Sequence, residues 1–302
     1  MTTISWPEAT TFSIASALKN ATTQLAASDI DSARLDAEIL LGEALGTDRG
    51  RLFLNDLELP DAALARFRAL VARRAGGEPV SYITGRREFW SLDFIVTPAV
   101  LTPRPETELL VEIALKLIVS KAAPRILDLG TGSGAIAVAL AKEIPGAEIV
   151  ATDIFREALA IARANARRHG VDNRIRFFAG DLLAPVAAMT GGFDLIVSNP
   201  PYIRRADIAA LPRDVRDYEP RIALDGGADG RDFYRRIARE APDYLSAGGF
   251  AAVEIGAGMS ADVARLFADA GFADVRIEKD LAGLERVVSA SFDKLRMNGS
   301  DG

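Results

Sequence analysis

The sequence predicts an α/β protein in which a doubly wound, largely parallel sheet follows a small helical bundle. From residue 125 onward, short aliphatic runs alternate with helical stretches. Such alternation is typical of parallel sheets that are covered by helices on both faces. Residues 10–75, in contrast, place apolar side chains at helical spacing and contain no strand signal. With 302 residues, the chain is long enough for two domains.

We expect the N-terminal helical bundle to occupy residues 1–79. Asp31 is a candidate cap for the second helix, and a short helix is expected over 49–54. Pro60-Asp61 is expected to open the last long helix of the bundle, because proline is favoured at the first position of a helix.

Residues 80–105 are expected to form a β-hairpin linker. Two strand-like segments, 86–90 and 94–97, flank the sequence Ser91-Leu92-Asp93, which is typical of a hairpin turn. The prolines that follow forbid regular structure up to Pro105, where the next helix is expected to begin. We interpret this segment as a connector between two domains.

The second domain is expected to span residues 106–290. Its predicted strands are 126–129, 148–151, 174–178, 193–197, 250–255, 274–278 and 286–290. Its predicted helices are 106–120, 133–143, 157–169, 232–245 and 260–270. The last two strands are close enough in sequence to pair antiparallel. Residues 291–302 are polar and rich in glycine, which predicts a disordered tail.

Composition excludes several classes of protein. The chain has no cysteine, so it has no disulfide, thiolate metal site or cysteine nucleophile, and this suits a reducing cytoplasm. No run of about 18 apolar residues is present, and the first residues lack the basic region of a signal peptide. The net charge of −6 is not that of a dedicated nucleic-acid binder. With a single histidine and no thiol, no metal site is expected.

The sequence Asn199-Pro200-Pro201-Tyr202 follows the strand predicted at 193–197. Because prolines lack an N–H group and fix φ, the strand must stop here with a stiff end. The Asn199 side-chain oxygen and the Pro200 carbonyl are two acceptors for the hydrogens of a planar NH2 group, and Tyr202 offers an aromatic face. This motif resembles the active site of methyltransferases that modify amides and exocyclic amines, in which catalysis is by orientation.

A glycine-rich loop, 130–134, lies between the first strand of the sheet and its helix. Glycines let the backbone approach a ligand closely, and Asp153, after the second strand, can accept the hydroxyl groups of a ribose. The same glycine spacing also fits dinucleotides, so NAD is an alternative. Asp128 before the first glycine and Asp181 after the third strand favour S-adenosylmethionine, since the resulting Asp-x-Gly-x-Gly-x-Gly pattern resembles the loop that binds this cofactor.

With these motifs on one chain, the sequence resembles the peptide chain release factor glutamine N5-methyltransferases from about residue 10 to 290. Further segments that carry the resemblance are 89–90, 103–108, 218–220 and 223–224. The resemblance implies a helical N-terminal domain for substrate recognition, a hairpin linker and a seven-stranded class I S-adenosylmethionine-dependent methyltransferase domain. It also implies methylation of the side-chain amide of the glutamine in the Gly-Gly-Gln loop of release factors.

The resemblance implies roles for individual residues. The residues expected to bind the cofactor are Gly130, Thr131, Gly132, Ser133, Gly134, Asp153, Asp181, Leu182 and Asn199. Asp153 is expected at the ribose, and Asp181 and Leu182 at the adenine, although some relatives carry an aromatic residue in place of Leu182. The residues expected to hold the substrate amide are Asn199, Pro200, Pro201 and Tyr202, of which Asn199, Pro200 and Tyr202 are assigned to catalysis.

Other readings of the same motifs stay open. The substrate of the clamp is alternatively a glutamine of a ribosomal protein or an exocyclic amine of a nucleic-acid base, and a non-catalytic binding module would keep the loop as a scaffold. We expect no stable nucleic-acid binding, no membrane association and a monomer. No catalytic base is apparent in the sequence. His169 is expected at the surface of a helix end, and Glu254 either faces the site or is a buried, hydrogen-bonded acid.

Overall fold

A computed structural model describes residues 13–47, 49–53, 58–190 and 192–293. The chain divides into two compact units. The first contains the residues up to Gly85 together with the later segment Pro212–Tyr218, and the second contains Arg86–Leu211 and the chain from Glu219 onward. The return of Pro212–Tyr218 to the first unit has no signal in the local sequence.

The first unit is helical. Its elements are α1 (Ile14–Ala26), α2 (Ala33–Leu45), a 3-10 turn (Arg49–Phe53), α3 (Asp61–Ala75) and α4 (Val80–Thr84). Leu18, Leu40 and Phe67 are among the apolar side chains buried between these helices. The prediction that Asp31 caps α2 is wrong, because the backbone first closes a turn from Ile30 to Ala33, so the cap position is Ser32 and the helix starts one residue later than expected.

A short helix, α8 (Arg213–Tyr218), completes the first unit. The Arg74 guanidinium is buried, and it lies 2.7 Å from the Asp36 carboxylate and 3.6 Å from that of Asp214. The Tyr218 hydroxyl donates a hydrogen bond of 3.2 Å to the Gly76 carbonyl. These contacts attach α8 to helices from the other end of the sequence.

The second unit opens with the predicted hairpin, formed by β1 (Arg86–Phe89) and β2 (Leu92–Ile95). Its turn is shorter than the predicted Ser91-Leu92-Asp93, because Phe89 pairs with Leu92 and the second strand begins two residues earlier than expected. The two-residue turn places Trp90 and Ser91 at φ values of 53° and 54°, as a type I′ turn requires, although neither residue is glycine. The Trp90 backbone N–H donates a hydrogen bond to the Glu108 carboxylate (2.7 Å), and its indole N–H donates one to the Glu143 carboxylate (2.8 Å). The left-handed turn is therefore held by side chains from outside the hairpin.

The large sheet has seven strands in the order β5-β4-β3-β6-β7-β9-β8. The strands are β3 (Arg125–Leu129), β4 (Glu148–Asp153), β5 (Ile175–Ala179), β6 (Phe193–Ser198), β7 (Leu245–Glu254), β8 (Ala273–Lys279) and β9 (Glu285–Phe292). β5, β4, β3, β6 and β7 run parallel, whereas β9 pairs antiparallel with both β7 and β8. The predicted doubly wound seven-stranded fold with a late antiparallel pair is confirmed.

Helices cover the sheet and bury the side chains of its central strands. They are α5 (Glu108–Leu117), α6 (Ala135–Glu143), α7 (Arg156–Arg168), α9 (Asp232–Glu240) and α10 (Ser260–Asp269). Every residue of β6 from Leu195 to Ser198 is fully buried. The switch of strand order between β4-β3 and β6-β7 is the place where open α/β sheets bind ligands.

Several of the predicted boundaries are wrong. The helix expected over 232–245 ends at Glu240, because Pro242 cannot donate to the helix ladder, and a strand of ten residues begins at Leu245. The last strand continues through Phe292, so the first residues of the predicted tail belong to the sheet. Residues 294–302 of that tail lie outside the described residues.

His169 lies at the C-terminal end of a helix, as expected, and is half-buried. It follows α7, and its Nε2 is 3.0 Å from the Asp93 carbonyl of the hairpin, while its ring packs against Phe94 with the ring centroids 5.3 Å apart. The histidine therefore joins α7 to the hairpin. Among the described helices, none combines the length and apolar character needed to cross a bilayer.

Candidate active site

A large cavity lies beyond the carboxyl ends of β3, β4, β5 and β6. Its empty volume is about 1240 Å³, including the part that opens to solvent. The predicted site residues that line it are Gly130, Thr131, Gly132, Ser133, Asp153, Asp181, Leu182, Asn199, Pro200 and Pro201. Gly134 and Tyr202 are absent from the lining. Segments from four strand ends thus meet around one space.

The glycine-rich loop forms one wall of this cavity. Gly130, Gly132 and Gly134 have φ values of 70°, 55° and 81°, in the left-handed region that favours glycine. A Cβ atom on Gly130 or Gly132 would meet no protein atom within 4 Å, so it would extend into open space, where a ligand of the cavity would lie. At Gly134 the opposite holds, since a Cβ would come 3.1 Å from that of Ala162 on α7. The loop therefore packs against α7 on one side, at Gly134, and faces the cavity on the other side, at Gly130 and Gly132.

Two carboxylates hold this loop in place. The Asp153 Oδ2 accepts the Gly132 N–H at 2.8 Å, and its Oδ1 accepts the Phe155 N–H at 2.9 Å. Burial raises the pKa of Asp153, and these two hydrogen bonds partly offset that rise. Each oxygen of a carboxylate can accept more than one hydrogen bond, so both retain capacity for a hydroxyl group.

Asp128 lies beneath the loop and is fully buried. Its Oδ2 accepts the Thr131 hydroxyl at 2.6 Å, while its Oδ1 has no hydrogen-bond partner in the described part of the chain. Burial raises the pKa of Asp128 to about 7. Because Asp128 does not line the cavity, its visible contact is with the loop itself.

The far end of the cavity has apolar side chains and one ion pair. Ile154 and Phe155 follow Asp153 and stay partly exposed (53% and 36%) while lining the cavity, so an apolar ring would cover them. The Asp181 carboxylate makes a bidentate pair with Arg236, with N–O distances of 2.8 and 3.1 Å. Ile154 and Phe155 were not predicted, although they directly follow Asp153, which is expected at the ribose.

The Asn199 side chain is oriented by a residue from a distant segment. Its Nδ2 donates a hydrogen bond of 3.0 Å to the Thr107 hydroxyl, and Thr107 is the buried residue of the 3-10 turn (Pro105–Thr107) before α5. This donation uses the amide nitrogen and leaves Oδ1 as the free acceptor at the cavity. The Ser198 hydroxyl donates a hydrogen bond of 2.8 Å to the Leu129 carbonyl and so joins the end of β6 to the end of β3.

Tyr202 lies behind the cavity wall. A Cβ on Gly256 would come 2.9 Å from its ring. The ring therefore packs so closely against the residues after β7 that only glycine fits at position 256. Burial, together with the Glu254 charge, raises the pKa of Tyr202 to about 12, and the phenol is therefore neutral at physiological pH. The aromatic face that the sequence assigned to the substrate amide remains a prediction.

The segment before α5 supplies the remaining wall. Pro103 and Arg104 line the cavity, and the Arg104 guanidinium is paired with the buried carboxylate of Glu219. Glu254, at the end of β7, is also buried. Burial raises its pKa to about 7, and hydrogen bonding from Thr107 and Asn199 lowers it again in part. Of the two alternatives that the sequence left open for Glu254, the structure shows the buried acid, which is absent from the cavity lining. Thr107 was not predicted as a site residue, because it reaches Asn199 only through the fold.

Comparison with known proteins places this chain among methyltransferases. A family model described as the PrmC N-terminal domain matches residues 16–85, and one described as the methyltransferase small domain matches residues 105–211. The catalytic domain of hMettl16, solved in complex with MAT2A 3'UTR hairpin 6, is 16% identical and covers 79% of this chain and 86% of that one. Its TM-score of 0.56 supports the fold alone.

Two curated relatives are much more similar in sequence. The release factor glutamine methyltransferase of Geobacter sulfurreducens is 50% identical over 265 residues, which is 87% of this chain and 91% of the relative. That of Bradyrhizobium diazoefficiens is 46% identical over 283 residues, which is 92% of this chain and 94% of the relative. The chain belongs to the release factor glutamine methyltransferase family.

Proposed function

We propose that this chain transfers a methyl group from S-adenosylmethionine to the side-chain amide nitrogen (N5) of the glutamine in the Gly-Gly-Gln loop of peptide chain release factors. The observation that carries the proposal is the orientation of Asn199, whose nitrogen is held by Thr107 and whose oxygen is left to accept a hydrogen bond. The membership of the family supports the identity of the substrate.

The cavity has suitable residues for two parts of the cofactor, its amino-acid part and its adenosine part. The open fronts of Gly130 and Gly132 admit its amino-acid part against the backbone. Asp153 would accept the ribose hydroxyls, and Ile154, Phe155 and Leu182, which line the same cavity, would cover the adenine with apolar surface. When bound, S-adenosylmethionine supplies an electrophilic methyl group whose bond to sulfur breaks as the new bond to nitrogen forms.

The chain's own contribution to the reaction is orientation. An amide nitrogen is a weak nucleophile because its lone pair is delocalised into the carbonyl. The Asn199 Oδ1 and the Pro200 carbonyl accept the two N–H groups of the glutamine and so fix the direction in which its nitrogen faces. After methyl transfer the nitrogen loses one proton to water, and the chain needs no catalytic base for this step.

The direct test is a methyl-transfer assay on a purified release factor with labelled S-adenosylmethionine. Mass spectrometry is expected to find one methyl group on the glutamine of the Gly-Gly-Gln loop. Replacing that glutamine by alanine in the release factor is expected to abolish labelling. Equal labelling of both substrates would exclude the proposed function, and labelling of a ribosomal protein or of RNA instead would identify one of the alternatives.

We also propose a division of labour within the chain, with substrate recognition by residues 1–79, a linker over 80–105 and catalysis by 106–290. The separate match of a model to residues 16–85 and the compactness of the first unit support it. A short Gly-Gly-Gln peptide is expected to be a far poorer substrate than the whole release factor, with the KM for S-adenosylmethionine unchanged. Equal kcat/KM values would contradict this division.

We propose the cytoplasm as the place of action and a monomer as the working form, without stable binding to nucleic acid or to membranes. The absence of cysteine and the acidic net charge of −6 support these assignments. Light scattering during size-exclusion chromatography measures the mass directly, and the monomer mass is 32.3 kDa.

A further inference from the structure

The buried carboxyl group of Glu254 lies next to the two side chains that form the substrate clamp. Glu254 is the last residue of β7 and is 2% exposed. In the parallel pairing of β6 with β7, Ser198 lies opposite Val253, so Asn199 and Glu254 follow at neighbouring strand ends. The polar side chains of Thr107 and Asn199 lower the pKa of Glu254, and its Oε2 has no partner among the described residues. A carboxylate accepts hydrogen bonds and cannot donate them, so its neighbours must direct their N–H and O–H groups toward it.

This requirement fixes the direction of the Asn199 amide. Because the Thr107 oxygen accepts the Asn199 N–H at 3.0 Å, the single hydroxyl proton of Thr107 is free to be donated to Glu254. With the amide nitrogen of Asn199 facing Thr107 and Glu254, its oxygen faces away from both of them. A flipped amide would turn its oxygen toward the carboxylate and present NH2 to a substrate NH2 group, and two donors cannot bond.

From this arrangement we propose that Glu254 is a positioning residue, which acts through Thr107 and Asn199 to keep the Asn199 oxygen available for the substrate amide. The proposal rests on the proposed function, and it names a residue outside the Asn199–Tyr202 motif. Only the ionised form of Glu254 enforces the orientation. A protonated Glu254 donates a hydrogen bond of its own and allows Thr107 to donate to a flipped Asn199.

The groups that face Glu254 determine when it ionises. Glu106 raises its pKa and Arg286, from β9, lowers it, while burial is the largest effect and brings the value to about 7. The phenols of Tyr202 and Tyr234 are also near, and both are neutral because their own pKa values are raised by burial. Activity is therefore expected to fall as the pH falls through about 7.

The kinetic experiment measures kcat against pH for the wild type and three variants. If only ionised Glu254 supports turnover, kcat falls about tenfold between about pH 8 and about pH 6. Glu254→Gln cannot ionise, so its kcat is expected to lose this dependence while the KM for S-adenosylmethionine stays unchanged. Thr107→Val is expected to lower kcat at every pH, and Thr107→Ser, which keeps the hydroxyl, to restore it.

A matched control separates Glu254 from the second buried acid. Asp128 also has a pKa raised to about 7, but it touches the cofactor loop and not Asn199. Asp128→Asn is therefore expected to keep the pH dependence of kcat that Glu254→Gln removes. If Glu254→Gln kept the wild-type profile, or Thr107→Val kept the wild-type kcat, the positioning role would be wrong.

A readout without substrate distinguishes failure of this proposal from failure of the proposed function. The side-chain NH2 signals of Asn199 in 1H–15N spectra can be assigned by their loss in Asn199→Ala. In the wild type they are expected to shift with a midpoint near the Glu254 pKa of about 7, and in Glu254→Gln this shift is expected to vanish. Signals that do not titrate would overturn the proposal, whatever the substrate of the enzyme proves to be.

Discussion

The direction of one amide group, that of Asn199, depends on a residue 92 positions earlier in the chain. Pro200 and Pro201 stiffen the strand end, but proline rigidity fixes only the backbone. The side-chain torsion is fixed by the hydrogen bond to Thr107, which is buried and held by the turn before α5. Backbone and side chain of the clamp are therefore specified by two different segments of the sequence.

At the residue scale, Asn199→Ala is expected to lower kcat by about 100-fold or more, the scale for loss of one positioned polar group. Binding of S-adenosylmethionine is expected to persist, because the glycine loop and Asp153 belong to other strand ends. Calorimetry of cofactor binding beside the methyl-transfer assay checks both parts. Tyr202→Phe is a useful comparison, since it keeps the packed ring and removes only a neutral hydroxyl. Unchanged turnover in Asn199→Ala would refute the clamp.

The sequence predicted the part of the site that is local in the chain. The loop 130–134 and the corner 199–202 are visible because each motif is contiguous. Thr107 and Glu254 act on Asn199 from two other elements, and no spacing in the sequence records that proximity. Ile154 is an intermediate case. It directly follows Asp153 in the sequence, but an exposed isoleucine after a strand does not by itself indicate a binding site.

At the element scale, the cofactor loop depends on α7 behind it. The Asn165 side chain of α7 is fully buried, and it accepts from the Ile95 N–H (2.7 Å) and donates to the carbonyls of Ile95 (3.0 Å) and Ser133 (2.9 Å). One amide thus joins the end of the hairpin, α7 and the loop. The sequence offered no signal for this, because a lone asparagine in a helix is usually read as a surface residue.

Asn165→Ala is expected to lower the free energy of unfolding by about 2–4 kcal/mol, because it leaves buried backbone groups of Ile95 and Ser133 without partners. Affinity for S-adenosylmethionine is expected to fall as well, since Ser133 belongs to the loop. Arg167→Ala, an exposed position on the same helix, is the matched control and is expected to change stability by less than about 0.5 kcal/mol. Urea denaturation of both variants measures the difference, and equal midpoints would contradict the role of Asn165.

The close contact of the loop with α7 gives a second prediction. Gly134→Ala combines a φ of 81° with a Cβ that would lie 3.1 Å from the Cβ of Ala162. Gly170→Ala has a similar φ of 68° but meets no atom within 4 Å. Both variants lose about 1 kcal/mol from backbone strain.

Only Gly134→Ala is expected to lose more stability than that and to weaken cofactor binding, because the loop must move to relieve the contact. Thermal unfolding with and without S-adenosylmethionine measures both effects. If the two variants lost the same stability and bound the cofactor equally well, packing of the loop against α7 would not determine its shape.

Element boundaries were predictable where a residue that breaks structure marks them. The alternation of apolar and helical segments was sufficient to predict the parallel strands. The predicted α9, in contrast, extended beyond Pro242, although a proline at that position indicates the end of a helix. α8 escaped prediction because its polar sequence, 213–218, has no apolar face, and its packing partners come from the first unit. Such elements exist only through tertiary contacts.

At the scale of the whole molecule, the buried acids of the second unit determine how stability depends on pH. Burial raises the pKa values of Asp128 and Glu254 to about 7 and also raises that of Asp153. Between the ordinary carboxyl pKa of about 4 and this value, the folded protein binds more protons than the unfolded chain. The stability that these groups contribute is therefore complete below about pH 4 and is lost as the pH rises through about 7.

Ion-paired surface acids affect the pH dependence of stability in the opposite direction, and they do so over a lower pH range. Arg235 lowers the pKa of Asp229, so its contribution is present above the ordinary carboxyl pKa of 3.8 and is lost only as the pH falls below it. Between about pH 5 and about pH 7.5 the surface pairs stay ionised in both states, so they do not contribute to the slope over the range in which the buried acids titrate. The two groups of carboxyls can therefore be separated by pH.

The free energy of unfolding is accordingly expected to decrease by on the order of 2–4 kcal/mol from about pH 5 to about pH 7.5, in contrast to proteins whose acids are mostly ion-paired. Asp128→Asn and Glu254→Gln each remove one titrating group, so each is expected to flatten the slope, and the double variant to flatten it further. Urea denaturation at a series of pH values measures these slopes. A free energy of unfolding that rose over this range, or slopes that both variants left unchanged, would show that neither acid takes up a proton on folding, and the pH dependence of the Asn199 clamp would lose its physical basis.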